Sequence, residues 1–597
     1  MNMANQLRVF FRKPHNVILV SLAVLLAFLT LFPLISLMRD TVIVHPSEVM
    51  AVRGAKVGEL TSFHWKKVFL DGDTSLNIFY RPFWNTIYTS LWSCLVSLLL
   101  GGSVAWLITR SDMRWKSFVS VTFIFPYIMP SWTLAMAWRN FFRNHLIGGA
   151  QGLFTALTGI ETADWFAYGA FPIIIVQGLH YAPFAYILIG GILRNMDANL
   201  EEAAVILKAS RLKIFSRITI PIVMPAVLST FLLVFSSCMS AFAVPAFLGM
   251  PVRFQVLTTQ LYRTLNGLNP GYGYIMALVM IAIGTGILLF QQWFVGQRKS
   301  FTTVTGKSSN IALVRLKGLQ LPISILLVLL VAVIAILPLI TFAVESFIMA
   351  PGDYSFKNFT LQFWAGQGRE DIGGGEPGIL LNRYIYLGLW NSMRLSLVVA
   401  FLSGSIGALA GYAIVRKRGS KLSTLVNNLA FFPYLMPSMA FGAIYLSMFA
   451  KPVLFIPSLY GSFALLVLVG TVKYLPFASR SGMNAMLQLS NEIEEAGLIV
   501  GIPWWKRMTR IIFPIQKSSF LSGYLLPFIS CMRELSLFVL LIVPSTRILT
   551  TMLFQYNEKG WSQYANAINL MIVVIVLLCN TIINKLTGAS IDKGIGG

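Results

Sequence analysis

Arg533 and Glu534 stand side by side within an otherwise apolar stretch, and ionisable groups are costly there unless they face a cavity or a partner. They are expected to line or gate a path. Adjacent residues on a helix point in different directions, so structural ion pairs with neighbouring helices fit the same pattern. Tyr127 and Tyr434, each flanked by prolines, are further path candidates, although proline there also fits a simple kink between packed helices. A second kind of chemistry sits in two polar segments of equal spacing. Glu202-Ala203-Ala204 is followed by Lys208, Ile218, Ile220 and Pro221; Glu495-Ala496-Gly497 is followed by Gly501, Ile511, Phe513 and Pro514. Each begins as a helix former, turns through basic or aromatic residues such as Phe215 or Trp504-Trp505-Lys506-Arg507, and enters an apolar run at proline. The pattern predicts a short helix on a membrane surface with proline near the start of the next span.

Enzymatic constellations are not seen. Gly306-Lys307-Ser308 imitates the end of a nucleotide-binding P-loop, but position 301 is Phe and the surroundings are a polar linker. Cys94, Cys238, Cys531 and Cys579 lie in apolar stretches without CxxC spacing, so they read as buried small hydrophobes rather than metal ligands. The five histidines have few acids near them, and no metal site or nucleophile is assigned.

The elements that must hold these residues are membrane helices. Only 11% of the 597 residues are charged and 56% are hydrophobic, against about a quarter charged in soluble proteins; mean hydropathy is +0.73. Lipid must cover the excess apolar surface. The run from Val17 to Met38 is uncharged and, at about 1.5 Å per residue, long enough to cross a hydrocarbon core of about 30 Å. Further spans are expected near 84–109, 117–140, 167–193, 217–248 and 272–296, then 319–346, 391–415, 422–450, 457–479, 512–543 and 563–584. The fold expected is all-α and polytopic, with about twelve transmembrane helices; 217–248 and 512–543 contain proline and are candidates for broken helices.

Basic loops fix the orientation. Arg8, Arg12 and Lys13, then Arg110, Arg114 and Lys116, Lys208, Arg211 and Lys213, the segment from Arg298 to Lys317, and Arg416, Lys417, Arg418 and Lys421 all fall on one side of a twelve-span chain. That side and both termini are expected to be cytoplasmic. The formal charge of +24 is thus placed beside anionic lipid, and no nucleic-acid partner is expected.

An internal duplication is visible as matched words. Asn85-Thr86 recurs as Asn391-Ser392, and Phe125-Pro126-Tyr127-Ile128-Met129-Pro130-Ser131 as Phe432-Pro433-Tyr434-Leu435-Met436-Pro437-Ser438. Tyr181, Pro183 and Phe184 match Tyr474, Pro476 and Phe477, while Ser237-Cys238-Met239 matches Ser530-Cys531-Met532, both pairs at offset 293. Six spans per half give two parallel repeats, with a translocation path between them. The expected division is a first repeat over 1–299, a cytoplasmic linker over 300–317 and a second repeat over 318–597.

The two polar segments resemble the EAA loop of ABC importer permeases, with the pattern E-A-A, three residues, G, nine residues, I-x-L-P. Glu202 and Glu495 match its acid, Gly501 its glycine, and Pro221 and Pro514 its proline; Lys208 replaces glycine, which leaves the first bend open, and Gly497 replaces alanine. The resemblance covers both halves. It implies coupling helices formed by Glu202, Ala203, Ala204 and Lys208 and by Glu495, Ala496, Gly497 and Gly501. They would dock on two copies of a separate ATPase subunit that binds ATP and Mg, with no cofactor in this chain and no ATP hydrolysis by it alone. Val244-Pro245-Ala246-Phe247-Leu248-Gly249 with Leu257-Thr258-Thr259, and Arg533-Glu534-Leu535 with Leu549-Thr550-Thr551, look most like the fused permeases of the ferric-iron group. That resemblance implies a bacterial inner-membrane importer receiving ferric iron from an extracytoplasmic binding protein at segments 40–83 and 347–390. Relatives carry phosphonates, phosphate esters, thiamine or polyamines. An ion-coupled secondary transporter is the alternative from another class, and the paired loops argue against it.

Overall fold

Apolar runs in lipid must satisfy every backbone group within the segment, which makes each a helix. The computed structural model describes residues 5, 10–50, 52, 54, 56–195, 203–204, 206–297, 313–453 and 456–587. In the first half the principal helices are α1 (Pro14–Asp40), α2 (Arg81–Arg110), α3 (Lys116–Phe123), α4 (Ser131–Phe142), α5 (Ala170–Asn195), α6 (Ile220–Ser240), α7 (Leu257–Leu265) and α8 (Pro270–Gln297). The second half holds α9 (Gln320–Ser346), α10 (Arg383–Arg416), α11 (Lys421–Leu435), α12 (Ser438–Phe449), α13 (Phe463–Leu487), α14 (Asn491–Ile499), α15 (Lys517–Met532), α16 (Leu549–Glu558) and α17 (Ser562–Thr587).

Among the described residues nine helices are long and apolar enough to cross a membrane, and two sharply bent helix pairs pass the same test together, each a broken span or a re-entrant loop. These account for eleven of the twelve expected spans. The remaining one, 512–543, becomes the shorter α15, because the helix stops at Met532 just before Arg533 and Glu534. Proline is not what breaks it: α15 runs through Pro527 and α6 through Pro225. The bent pairs correct the sequence reading more strongly. Residues 116–142 and 421–449 turn by 93° and 109° at Met129-Pro130 and Met436-Pro437, far beyond the kink that a proline within a packed helix produces.

Within each half, three helices form the same cluster. α2 packs along α5 with α6 beside both, and α10 packs along α13 with α15 beside both. Small residues permit the close approach, as at Gly482, where a Cβ would lie 2.6 Å from the Gly407 carbonyl oxygen. The leading helices are exchanged: α1 packs on α11 and α12 of the other half, and α9 on α3 and α4. The Tyr445 hydroxyl donates to the Leu29 carbonyl at 2.5 Å, and Ser447 to Asp40 at 2.6 Å.

The repeated words are polar clamps. Asn85 donates to the Gln255 carbonyl at 2.9 Å, as Asn391 does to that of Arg547 at 2.8 Å. The Leu257 amide donates to Thr86 at 2.8 Å, and that of Leu549 to Ser392 at 2.9 Å. Each clamp ties α2 or α10 to the irregular chain that follows α6 or α15. Backbone groups left free at the starts of α7 and α16 are thereby satisfied, as a low-dielectric setting requires.

Candidate transport path and coupling loops

A helix that stops inside the bilayer leaves carbonyls without intrahelical partners and a partial negative charge at its end. The two breaks meet that need differently. In the second half, the Lys473 ammonium from α13 donates to the carbonyls of Pro433 and Met436, at 3.1 and 2.5 Å, and lies over the Phe441 ring. In the first half the equivalent residue at offset 293 is His180 on α5, whose Nδ1 lies 3.0 Å from the Pro126 carbonyl oxygen. The next carbonyls, of Tyr127 and Ile128, receive Arg533 from the opposite half, at 2.6 and 3.1 Å. Its guanidinium also sits 5.5 Å from the Tyr127 ring centre, close enough for a cation–π contact.

Arg533 and Glu534, expected as neighbours on a helix, instead sit where α15 ends. Glu534 turns the other way from Arg533. Its carboxylate accepts from the Tyr474 hydroxyl at 3.0 Å and from the Leu537 amide at 3.1 Å, while its own carbonyl receives Thr550. The first half repeats the scaffold without the charges: Ser240-Ala241 occupy these positions, and the Ala241 carbonyl receives Thr258 at 2.8 Å. Tyr127, Tyr434, Lys473, Arg533 and Glu534 are all partly exposed. Tyr127 stacks on Phe184, and Tyr434 meets Phe477 edge-on. Above the breaks the halves touch through Trp132, which donates to Asn569 at 3.1 Å, and through Phe554, packed among Phe242, Phe247 and Tyr262.

The polar loop of the second half is fully described. Ser490 caps α14, which ends in a turn where Gly501 has φ +76° and the Ile502 amide donates to the Gly497 carbonyl at 2.9 Å. In the first loop Glu202 lies outside the described residues, but the turn is present. Lys208 takes φ +58°, and the Ala209 amide donates to the Ala204 carbonyl at 3.0 Å. The bend left open by the missing glycine is thus the same bend, held by a residue for which a left-handed conformation costs about 1 kcal/mol. Gly497 also has a reason: a Cβ there would come 2.9 Å from Cδ of Arg507. In the first half the equivalent positions are Ala204 and the shorter Ile214.

Glu495 is exposed, as are Ala203, Ala496, Lys208 and Gly501, whereas the acid before it is tied down. Glu494 accepts from the Tyr412 hydroxyl at 2.6 Å, pairs with Arg416 at 2.5 Å and lies 3.7 Å from Arg507. It anchors α14 to the end of α10. Large apolar side chains are also exposed: Leu498, Ile499 and Val500 beyond Glu495 in the second loop, Ile206 and Leu207 in the first. An acid followed by exposed apolar groups, fixed to a membrane helix through a buried ion pair, has the composition of a docking surface.

Sequence reasoning missed Glu494, His180 and Lys473. The matched word beginning at Tyr181 and Tyr474 starts one residue after the pair that caps the breaks. The signal for both was position within the repeat, since neither type alone marks a cap.

The family model for the binding-protein-dependent transport system inner membrane component matches residues 97–299 and 403–591. A ferric transport system permease protein of Actinobacillus pleuropneumoniae is 27% identical over 506 residues, covering 83% of this chain and 69% of that protein. An Fe(3+)-transport system permease protein of Haemophilus influenzae is 22% identical over 503 residues, 83% of this chain and 88% of that one. The solved structure of a bacterial ABC transporter involved in import of the acidic polysaccharide alginate covers 46% of this chain and 93% of its own, at 17% identity and TM-score 0.37.

Proposed function

Because the chain belongs to the family of binding-protein-dependent transport system inner membrane components, we propose that it is the fused permease of an ABC importer carrying ferric iron into the cytoplasm. The observation that carries this reading is the loop turn built twice, once on Lys208 and once on Gly501, each beside outward apolar groups. Glu202, Ala203, Ala204 and Lys208 in one loop, and Glu495, Ala496, Gly497 and Gly501 in the other, dock on two ATPase copies, which bind ATP and Mg and supply the hydrolysis. The relatives named for ferric transport support the cargo.

In this reading residues 1–299 and 318–597 are the two repeats, 300–317 is a cytoplasmic linker, and both termini are cytoplasmic beside anionic lipid. Segments 40–83 and 347–390 receive the binding protein. Arg533, Glu534, Tyr127 and Tyr434 line the path, and closure of the ATPases moves α14 and, through Glu494, the end of α10. Relative movement of the halves must then release Arg533 from Tyr127 and Ile128, while the Lys473 cap travels within its own half.

The test is uptake of radioactive ferric iron into proteoliposomes holding the chain, its ATPase and its binding protein. ATP-dependent uptake that vanishes in Glu202→Gln/Glu495→Gln is expected. Uptake of a phosphonate or polyamine in place of iron would replace the cargo, and uptake under an ion gradient without the ATPase would overturn the importer reading.

A further inference from the structure

At the end of α2 opposite its cytoplasmic Arg110 lies a cavity of about 520 Å³, lined by the start of α2, the loop before α7, and α7 itself. Its size is that of a small-molecule site. Arg81, Arg253 and Arg263 all contribute to the wall, and no Asp or Glu is among the lining residues. Arg81 bonds Asn77 at 2.9 Å; among the described residues no carboxylate pairs with Arg253 or Arg263. Gln260, only 6% exposed, also lines the cavity.

The shared fold does not demand these charges. At the positions equivalent to Arg81, Arg253, Gln260 and Arg263 the second half has Leu387, Ser545, Met552 and Gln555, although the clamps that hold the surrounding chain are the same in both halves. Three guanidiniums around an acid-free cavity produce a concentrated positive potential, and each presents a planar fork of donors that matches carboxylate or phosphate oxygens. Arg253 is moreover held at φ +60°.

We propose that this outer cavity of the first half is a binding site for an oxyanion bearing carboxylate or phosphate groups, held by Arg81, Arg253 and Arg263 with the Gln260 amide at its floor. The site stands apart from the coupling loops and needs no ATPase to be filled. Such an anion has two sources on this face, a free polyanion in solution or the phosphate of an anionic lipid. Trp84 and Tyr88, exposed on α2 next to Arg81, place the cavity at an interfacial aromatic belt.

The test uses the full chain in phosphatidylcholine nanodiscs, with citrate and inorganic phosphate titrated calorimetrically at constant ionic strength. Arg253→Gln/Arg263→Gln removes two exposed cations and should leave the fold intact. The expected result is binding to the unaltered chain that weakens at least tenfold in the double variant and is unchanged in Lys421→Gln, which removes an exposed cation elsewhere. If neither anion binds in phosphatidylcholine, but phosphatidylglycerol co-purifies with the unaltered chain and is lost from the double variant, the site stands with lipid as its source. Equal binding by the double variant, or no binding of citrate, phosphate or phosphatidylglycerol, overturns the proposal.

Discussion

The two halves break the same span at the same word, yet they hold the break in place by opposite means. In the second half Lys473 satisfies the carbonyls of Pro433 and Met436 from within the same half. In the first half His180 reaches only the Pro126 carbonyl, and the rest of the break is held by Arg533 from across the interface. A duplicated scaffold has therefore been made asymmetric at a point where the halves meet. One break is capped from within its own half, and the other is capped in part from the opposite half. The same divergence recurs at the coupling turn, where glycine serves one loop and a strained lysine the other.

The largest effect is expected from the ion pair that fixes α14. Glu494, Arg416 and Arg507 are nearly buried, with side-chain exposures of 12%, 9% and 7%, and removing one partner of such a group costs about 3–5 kcal/mol. Glu494→Gln should lower the thermal midpoint of the detergent-solubilised protein and abolish stimulation of the ATPase. Glu495→Gln, on the exposed side, should leave the midpoint unchanged and weaken only ATPase binding. Equal midpoints for the two variants would remove the distinction between the anchoring and the docking acid.

The segment between α1 and α2 holds a fully buried acid, Glu48. Burial pushes the Glu48 carboxyl up, but hydrogen bonds from His64 at 2.7 Å and from the His45 and Gly271 amides, both at 3.0 Å, outweigh it and hold the group below its ordinary value of 4.5. Stability from this cluster is present above pH 4.5 and is lost as the pH falls through the lowered value. Glu48→Gln should cost about 1–3 kcal/mol at neutral pH and flatten the acid limb of the stability profile. An unchanged acid limb, followed by hydrogen exchange of residues 41–65, would count against it.

Smallest, and opposite in sign between the halves, are the turn substitutions. Lys208→Gly should stabilise the first loop by about 1 kcal/mol, and Gly501→Ala should destabilise the second by a similar amount. If both lower the thermal midpoint, the two turns are not equivalent.

Much of this was legible in the sequence. Long apolar runs, the matched words and the paired polar loops specify a duplicated helical membrane protein, because hydropathy and spacing are local properties. The bends of 93° and 109° were not: a proline marks a weak point in a helix, and only the neighbouring chain decides between a kink and a near right-angle turn. Glu494 was hidden because its partners Tyr412, Arg416 and Arg507 come from separate elements. The span expected over 512–543 failed where its own charges, Arg533 and Glu534, turn to partners in different halves.

The central claim, that Arg533 couples the halves while Lys473 serves only its own, is tested by the number of iron ions taken up per ATP hydrolysed in reconstituted vesicles. That ratio does not depend on how much of a variant folds. Arg533→Gln is predicted to lower it at least tenfold, with hydrolysis continuing, and Lys473→Gln to leave it within about twofold of the unaltered protein. An equal fall in both variants, or an unchanged ratio in Arg533→Gln, would contradict the account.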